Sequence, residues 1–101
     1  MKLESIEPAQ AIRLLDAGQA LAVDVREPDE YAAGHIPGAV LLPLGQVTAR
    51  AAAVLPDKNA RLLVYCRTGR RSDAAGRQLL AMGYTRVENL GGVLTWPYEL
   101  E

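Results

Sequence analysis

Short apolar runs alternate with segments of helical periodicity along the chain. Runs at positions 21 to 25, 40 to 42 and 62 to 65 are compact and aliphatic, which is typical of buried strands. Weaker patterns at positions 3 to 6 and 86 to 90 predict a short edge strand and a final strand. The chain is therefore expected to contain about five strands, separated by segments long enough for helices.

Helices are predicted where apolar side chains recur every three or four positions. These sets are Ile12 and Leu15, then Leu44, Val47, Ala51 and Val54, and finally Ala75, Leu79 and Met82. A further short helix is predicted at positions 28 to 33, because a proline is well suited to a first helical position. Strands that alternate with helices predict an α/β fold, a small open and mostly parallel sheet with helices on both faces.

Glycines and a serine give the expected limits of the last elements. The fourth helix is expected to begin after Ser72, and Gly91 and Gly92 are expected to open a turn that leads to a buried Trp96. Gly76 lies inside the fourth helix, where glycine costs about 1 kcal/mol relative to alanine. We therefore expect the helix to pack closely on the sheet at that position.

Composition limits what can surround these elements. The chain has 101 residues, 50% of them hydrophobic, and no linker or repeat, so residues 1–101 are interpreted as a single domain. A net charge of −1 offers no general attraction for nucleic acid or an anionic membrane. One cysteine and one histidine exclude an internal disulfide and argue against a metal site; no cofactor is expected. No run has the length of a membrane span, and a cytoplasmic location is expected.

The segment LLVYCRTGRRS, at positions 62 to 72, carries the candidate chemistry. It places Cys66 at the carboxyl end of a predicted strand, where open α/β sheets bind their ligands. Loop N–H groups and the next helix N-terminus would converge on an anion above the sulfur. Arg67, Arg70 and Arg71 fall within five consecutive positions. These cations are expected to lower the pKa of the thiol and to bind a dianionic substrate.

Individual roles follow from this loop. The nucleophile is Cys66, and the predicted substrate-binding residues are Arg67, Thr68, Gly69, Arg70 and Arg71. Arg71 is expected to matter most for substrate, while at least one of the three arginines is expected to pair with an acid such as Asp24. Supporting roles are predicted for Asp24, Arg26 and Ser72, where Ser72 would supply a hydroxyl or cap the helix. His35 is interpreted as structural.

Three motifs in order resemble the single-domain rhodanese family of sulfurtransferases, over about positions 21 to 96. They are DVREPDEYAAGHIPGAVLLPL, VYCRTGRRS, and a closing pattern that consists of Gly83, Tyr84, Val87, Asn89, Leu90, Gly91, Gly92 and Trp96. The resemblance implies a double displacement in which Cys66 takes the outer sulfur of thiosulfate. The resulting persulfide would pass that sulfur to cyanide or another thiol.

The resemblance also implies the shape and specificity of the loop. In the family, the six residues that start at the cysteine form a cradle, which here runs from Cys66 to Arg71. CRTGRR is similar to the version that acts on thiosulfate, whereas mercaptopyruvate-specific relatives have glycine where this chain has Arg67. Implied partners are thiosulfate or a similar small donor and a thiophilic acceptor, with a sulfur-relay protein left open. Neither nucleic acid nor a membrane is an expected partner.

Three alternatives remain at this stage. Cysteine phosphatases and arsenate reductases of the related fold have five residues between cysteine and arginine, whereas Arg71 falls one position short of that spacing. Non-catalytic rhodanese-like modules often lack the cysteine, which this chain retains. A sulfur carrier that receives persulfide sulfur from a partner fits the same residues as an enzyme does.

Overall fold

Five parallel strands form one open sheet in a computed structural model that describes residues 2–101. The strands are β1 (Glu4–Ser5), β2 (Leu21–Asp24), β3 (Val40–Leu41), β4 (Arg61–Cys66) and β5 (Arg86–Gly92). Their order across the sheet is β1-β5-β4-β2-β3, and every neighbouring pair is parallel. The predicted fold class is confirmed, and β4 occupies the centre.

Helices connect the strands and cover both faces of the sheet. They are α1 (Pro8–Asp16), α2 (Pro28–Ala33), α3 (Val47–Val54) and α4 (Arg70–Ala81), with 3-10 turns at Leu44–Gln46 and Val93–Thr95. Proline begins both α1 and α2, where its fixed φ suits the first turn. Among residues 2–101, no helix is long and apolar enough to cross a bilayer.

Side chains of β4 alternate between two hydrophobic clusters. Leu62, Val64 and Cys66 contribute to the cluster that contains apolar residues of α3 and α4. Leu63 and Tyr65 contribute to the opposite cluster, which contains apolar residues of α1 and Trp96. Since successive strand residues point to opposite faces, this alternation turns the Cys66 thiol toward α4.

Most strand limits lie within one residue of the predicted ones, and three element boundaries differ by more. The third helix begins as a 3-10 turn, and α4 begins at Arg70 rather than after Ser72. Gly69 takes a left-handed conformation with φ 104°, which lets the chain enter the helix three residues after the strand. The predicted turn at Gly91 and Gly92 is wrong, because both residues continue β5.

Gly76 of α4 lies close to Leu3, near the start of the chain. A Cβ atom built there would lie 2.9 Å from both terminal methyl groups of Leu3, which directly precedes β1. The space that glycine leaves is therefore filled by one leucine side chain. Close packing at this helical glycine is found as expected, but against Leu3 just before the first strand rather than against a strand residue.

Candidate active site

Cys66 is the last residue of β4 and is almost completely buried, with 1% of its surface exposed. Its strand neighbour on β5 is Gly92. An irregularity in the β4–β5 register lies just before it, where Val64 pairs with Asn89 but Tyr65 pairs with Gly91. At this bulge, Gly91 and Gly92 of β5 lie directly against the loop that follows Cys66.

The loop after Cys66 directs hydrogen-bond donors at the sulfur. The Gly69 N–H donates to Cys66 Sγ over 3.0 Å, and the Ser72 hydroxyl oxygen lies 3.6 Å from the same atom. Ser72 belongs to the first turn of α4, where free N–H groups and the helix dipole favour negative charge. The thiol is thus held at a small site arranged for an anion.

Burial is the largest influence on the pKa of Cys66 and raises it. Hydrogen bonds from the Ser72 N–H and hydroxyl, and from the N–H groups of Gly69 and Thr68, together exceed that effect and lower the pKa. The expected direction is therefore found, but its main cause is not the expected set of arginine charges. Backbone donors stabilise the thiolate because they are fixed close to the sulfur.

The three arginines have different environments. Arg67 and Arg70 are exposed, whereas Arg71 makes a two-pronged salt bridge to Glu30 with N···O distances of 2.7 and 2.9 Å. One of the three arginines does pair with an acid, as expected. The acid is Glu30, and the suggestion of Asp24 is wrong. Arg71 remains near enough to Cys66 for the negative sulfur to contribute to its raised pKa.

Glu30 holds Arg71 from a fixed position. Its carboxylate accepts the Glu27 N–H over 3.0 Å as part of a capping box at the start of α2. The guanidinium of Arg71 is consequently anchored to a second helix. The salt bridge lowers the pKa of Glu30 to about 2, chiefly through the Arg71 hydrogen bonds.

Asp24 and Arg26 form a separate buried pair. Asp24 Oδ2 lies 2.7 Å from Arg26 Nη2, and the same nitrogen donates to the Gly34 carbonyl over 2.7 Å. The Arg26 guanidinium also lies 5.7 Å from the centre of the Tyr65 ring. The hydrogen bonds of this pair thus support the chain after α2, and none of them reaches the loop at residues 67 to 71.

A family model described as "Rhodanese-like domain" matches residues 7–97 of this chain. The chain belongs to the rhodanese-like domain family. This rhodanese domain is 48% identical over 71 residues to thiosulfate sulfurtransferase PspE of Escherichia coli, covering 70% of this chain and 68% of that protein. It is 37% identical over 89 residues to the putative sulfur carrier protein YrkF of Bacillus subtilis, with coverage of 86% and 47%.

A solved structure described as "rhodanese with anions from E. coli" has the same fold. It superposes on the rhodanese domain with a TM-score of 0.75 and 42% sequence identity, covering 81% of this chain and 98% of the other. The shared fold confirms the resemblance that the three motifs carried.

Three residues of the site have functions that sequence reasoning did not assign. Gly92 gives space to the loop, because a Cβ atom there would lie 2.6 Å from Thr68 Cα and would also collide with the Arg67 carbonyl. Asn89 bonds to Ser72, and Glu30 holds Arg71. The adjacent glycines Gly91 and Gly92 could have indicated that another backbone segment passes close to β5. Nothing in the sequence pairs Glu30 with a residue 41 positions away.

His35 and Trp96 have structural positions in the rhodanese domain. His35 stacks on Tyr31 at 3.7 Å between ring centres, and its Nδ1 lies 2.9 Å from the Tyr31 carbonyl oxygen. Trp96 is buried in the cluster on the other side of the sheet from Cys66. Both positions agree with the structural interpretation made from the sequence.

Glu30→Gln should remove a pH-dependent part of the stability. The pKa of Glu30 is lowered from 4.5 to about 2, so its salt bridge stabilises the fold above pH 4.5 and is lost as the pH falls toward 2. The difference in unfolding free energy between parent and variant should therefore be largest near neutral pH and shrink below pH 4.5. Urea unfolding at several pH values measures it. A pH-independent difference would contradict the prediction.

Proposed function

We propose that this rhodanese domain is a sulfurtransferase that carries sulfane sulfur as a persulfide on Cys66. Thiosulfate or a similar small anion is the donor, and cyanide or a thiol is the acceptor, in the cytoplasm. The observation that supports this most directly is the Gly69 N–H at 3.0 Å from a buried Sγ whose pKa is lowered. Relatives named as thiosulfate sulfurtransferases support the same reaction class.

In the loading step, the Cys66 thiolate attacks the outer sulfur of thiosulfate. A bond forms between Sγ and that sulfur, the sulfur–sulfur bond of thiosulfate breaks, and sulfite leaves with the electron pair. The N–H groups of Thr68, Gly69 and Ser72 lower the pKa of the thiol and so increase the fraction of Cys66 that is thiolate. In the persulfide, N–H groups of the same loop would stabilise the charged outer sulfur.

In the discharge step, the acceptor attacks the outer sulfur of the persulfide. The bond between the two sulfurs breaks, and Cys66 leaves as a thiolate that the same N–H groups stabilise. Cyanide would become thiocyanate, whereas a thiolate would become a new persulfide. Because the chain has one cysteine, no internal thiol discharges the sulfur, and the acceptor comes from outside.

The exposed arginines are suited to attract the donor dianion. Arg67 and Arg70 have no salt-bridge partner among residues 2–101, whereas the guanidinium of Arg71 is already bound by Glu30. Unpaired guanidinium groups on the exposed side of the loop offer paired hydrogen-bond donors to oxyanions. Arg71 is still proposed as a substrate-binding residue. It would act through its charge near Cys66, because the N–H groups that could bind an oxyanion in pairs already bind Glu30.

Replacing both Arg67 and Arg70 by alanine should slow sulfur loading from thiosulfate about tenfold, since exposed charges mainly raise the local concentration of an anion. Alkylation of Cys66 by neutral iodoacetamide should change much less, because backbone donors control the thiol. Arg86→Ala is the control, as that exposed arginine lies at the opposite end of β5. Equal losses with thiosulfate and iodoacetamide would contradict this assignment.

A sulfur carrier is the second candidate function. The 37% identity to a putative sulfur carrier protein favours it, and a carrier would use the same persulfide. The two functions differ in the acceptor. An enzyme turns over repeatedly with thiosulfate and a small acceptor, whereas a carrier transfers its sulfur efficiently only to a partner protein.

Intact-protein mass spectrometry tests the proposed function. Thiosulfate treatment should add the mass of one sulfur, cyanide should remove it with formation of thiocyanate, and peptide mapping should locate the added mass on Cys66. Protein previously alkylated by iodoacetamide is the matched control, because the chain has no other cysteine. Thiocyanate production with no mass change in the protein would refute the covalent mechanism.

A further inference from the structure

One side chain ties together the three segments that surround the Cys66 sulfur. Asn89 Oδ1 accepts the Gly91 N–H over 2.9 Å and the Ser72 hydroxyl over 2.7 Å. Its Nδ2 donates to the Gly69 carbonyl over 3.3 Å. The bulge of β5, the residue before α4 and the first turn of α4 are thus joined at a single amide.

The Ser72 hydroxyl has one hydrogen and several acceptors. It is fully buried, and its oxygen lies 2.7 Å from Asn89 Oδ1, 3.1 Å from the Gly69 carbonyl and 3.3 Å from the Gly91 carbonyl. Cys66 Sγ is a further possible partner at 3.6 Å. A single O–H makes one good hydrogen bond at a time, so the shortest contact, to Asn89, competes with the sulfur.

We propose that Asn89 is a positioning residue that controls the reactivity of Cys66 through the Ser72 hydroxyl. When Cys66 is a neutral thiol, the hydroxyl donates to Asn89 Oδ1 and leaves a lone pair free for the S–H. When Cys66 is a thiolate, the hydroxyl rotates and donates to Sγ. Asn89 Oδ1 then retains the Gly91 N–H, so neither acceptor is left without a donor.

This exchange matters in both half-reactions, and the inference here rests on the proposed function. In the persulfide, Sγ is a bridging, uncharged sulfur and a poor acceptor, so the hydroxyl returns to Asn89. As the sulfur–sulfur bond breaks during discharge, negative charge develops on Sγ and the hydroxyl turns back to it. The Ser72 proton thus stabilises Cys66 only when the sulfur carries charge. This accelerates discharge, in which the charge develops, whereas in loading it raises the fraction of Cys66 that is thiolate.

Other charged groups near Cys66 are held by their own partners or are exposed. Arg71 of α4 pairs with Glu30 of α2, and Arg67 and Arg70 lie at the exposed rim. The β5 carboxylate, Glu88, pairs with Arg61 of β4, and the Asp24–Arg26 pair of β2 lies against Tyr65 on the other face. Substitutions at positions 89 and 72 leave all of these groups in place.

Four proteins test the inference: the parent, Asn89→Asp, Ser72→Ala and the double variant. The rate of iodoacetamide alkylation is measured against pH, which reports the thiolate fraction without requiring sulfur transfer. The carboxylate introduced at position 89 should retain the Ser72 proton and raise the pH midpoint by about one unit, a tenfold lower thiolate fraction at neutral pH. In the Ser72→Ala background, Asn89→Asp should raise the pH midpoint by less than half of the shift that it causes in the parent.

Equal shifts in the two backgrounds would overturn the inference, because the new charge would then act directly on Cys66 through space. No shift in either background would overturn it as well. If circular dichroism shows that Asn89→Asp does not fold, Asn89→Leu replaces it, and its effect on the midpoint must disappear in the Ser72→Ala background. Failure of the proposed function would be seen separately, as a normal titration with no uptake of sulfur from thiosulfate.

Discussion

Gly92→Ala is expected to reduce sulfur loading by roughly 10²- to 10³-fold, which is the usual cost of losing one fixed donor to a developing anion. The new methyl group would lie 2.6 Å from Thr68 Cα and would collide with the Arg67 carbonyl. Both contacts are with backbone, so the loop that carries the Gly69 N–H has to move away from Cys66. Gly92 has φ −127°, which alanine adopts without strain, so the effect is purely steric.

Loading is measured by mass spectrometry after timed exposure to thiosulfate, and the Cys66 titration is followed with iodoacetamide. The pKa of the thiol should rise in this variant as the donors withdraw. Gly45→Ala is the matched control, because a Cβ atom there meets nothing within 4 Å and its φ is not in the left-handed region. A loading rate like that of the parent would show that the loop position is not required.

Asp24→Ala is expected to cause the largest loss of stability, about 3–5 kcal/mol, because it leaves a buried cation without its partner. Asp24 is fully buried, and its carboxylate accepts hydrogen bonds from both the N–H and the guanidinium of Arg26. Small domains have unfolding free energies of about 5–15 kcal/mol, so this loss would remove a large fraction of the stability. Urea unfolding of parent and variant measures the loss.

Removing both charges provides the control for this prediction. The double variant Asp24→Leu and Arg26→Met should regain much of the lost stability, because replacing a whole buried ion pair by apolar residues is often neutral. Arg77→Ala tests an exposed pair of the same chemistry, in which Arg77 and Asp73 are largely in solvent. The loss of stability in Arg77→Ala should be far smaller than in Asp24→Ala, because solvent screens an exposed ion pair. An Asp24→Ala loss as small as that one would contradict the argument.

The fold could be predicted because its signals are local. Aliphatic runs such as that before Cys66 gave the strands, and the proline and glycine positions gave most helix limits. The start of α4 was misplaced because apolar periodicity does not include its first turn, where Arg70 and Arg71 are polar. The end of β5 was misplaced because Gly91 and Gly92 act there as space for another segment and not as a turn.

The geometry around Cys66 could be predicted only as far as a cysteine at the end of a strand and the loop that follows it. Cys66 and the donors around it follow from a strand that runs into a helix. The lowered pKa was attributed to arginines because charges are visible in a sequence, whereas the directions of N–H groups are set by the backbone. The pairing of Arg71 with Glu30 and the bonds of Asn89 to Ser72 depend on side-chain directions across separate elements.

A single left-handed residue, Gly69, lies between the loop that follows Cys66 and the start of α4. One residue added between Cys66 and Gly69 would either lengthen the loop or move the start of α4 by one position. In the second case the helix would present different side chains to the sheet, because each residue of an α-helix turns the chain by about 100°. A cradle enlarged for a bulkier oxyanion therefore leaves the core unchanged only when the added residue is confined to the loop before Gly69, so Gly69 separates the size of the site from the packing of the helix.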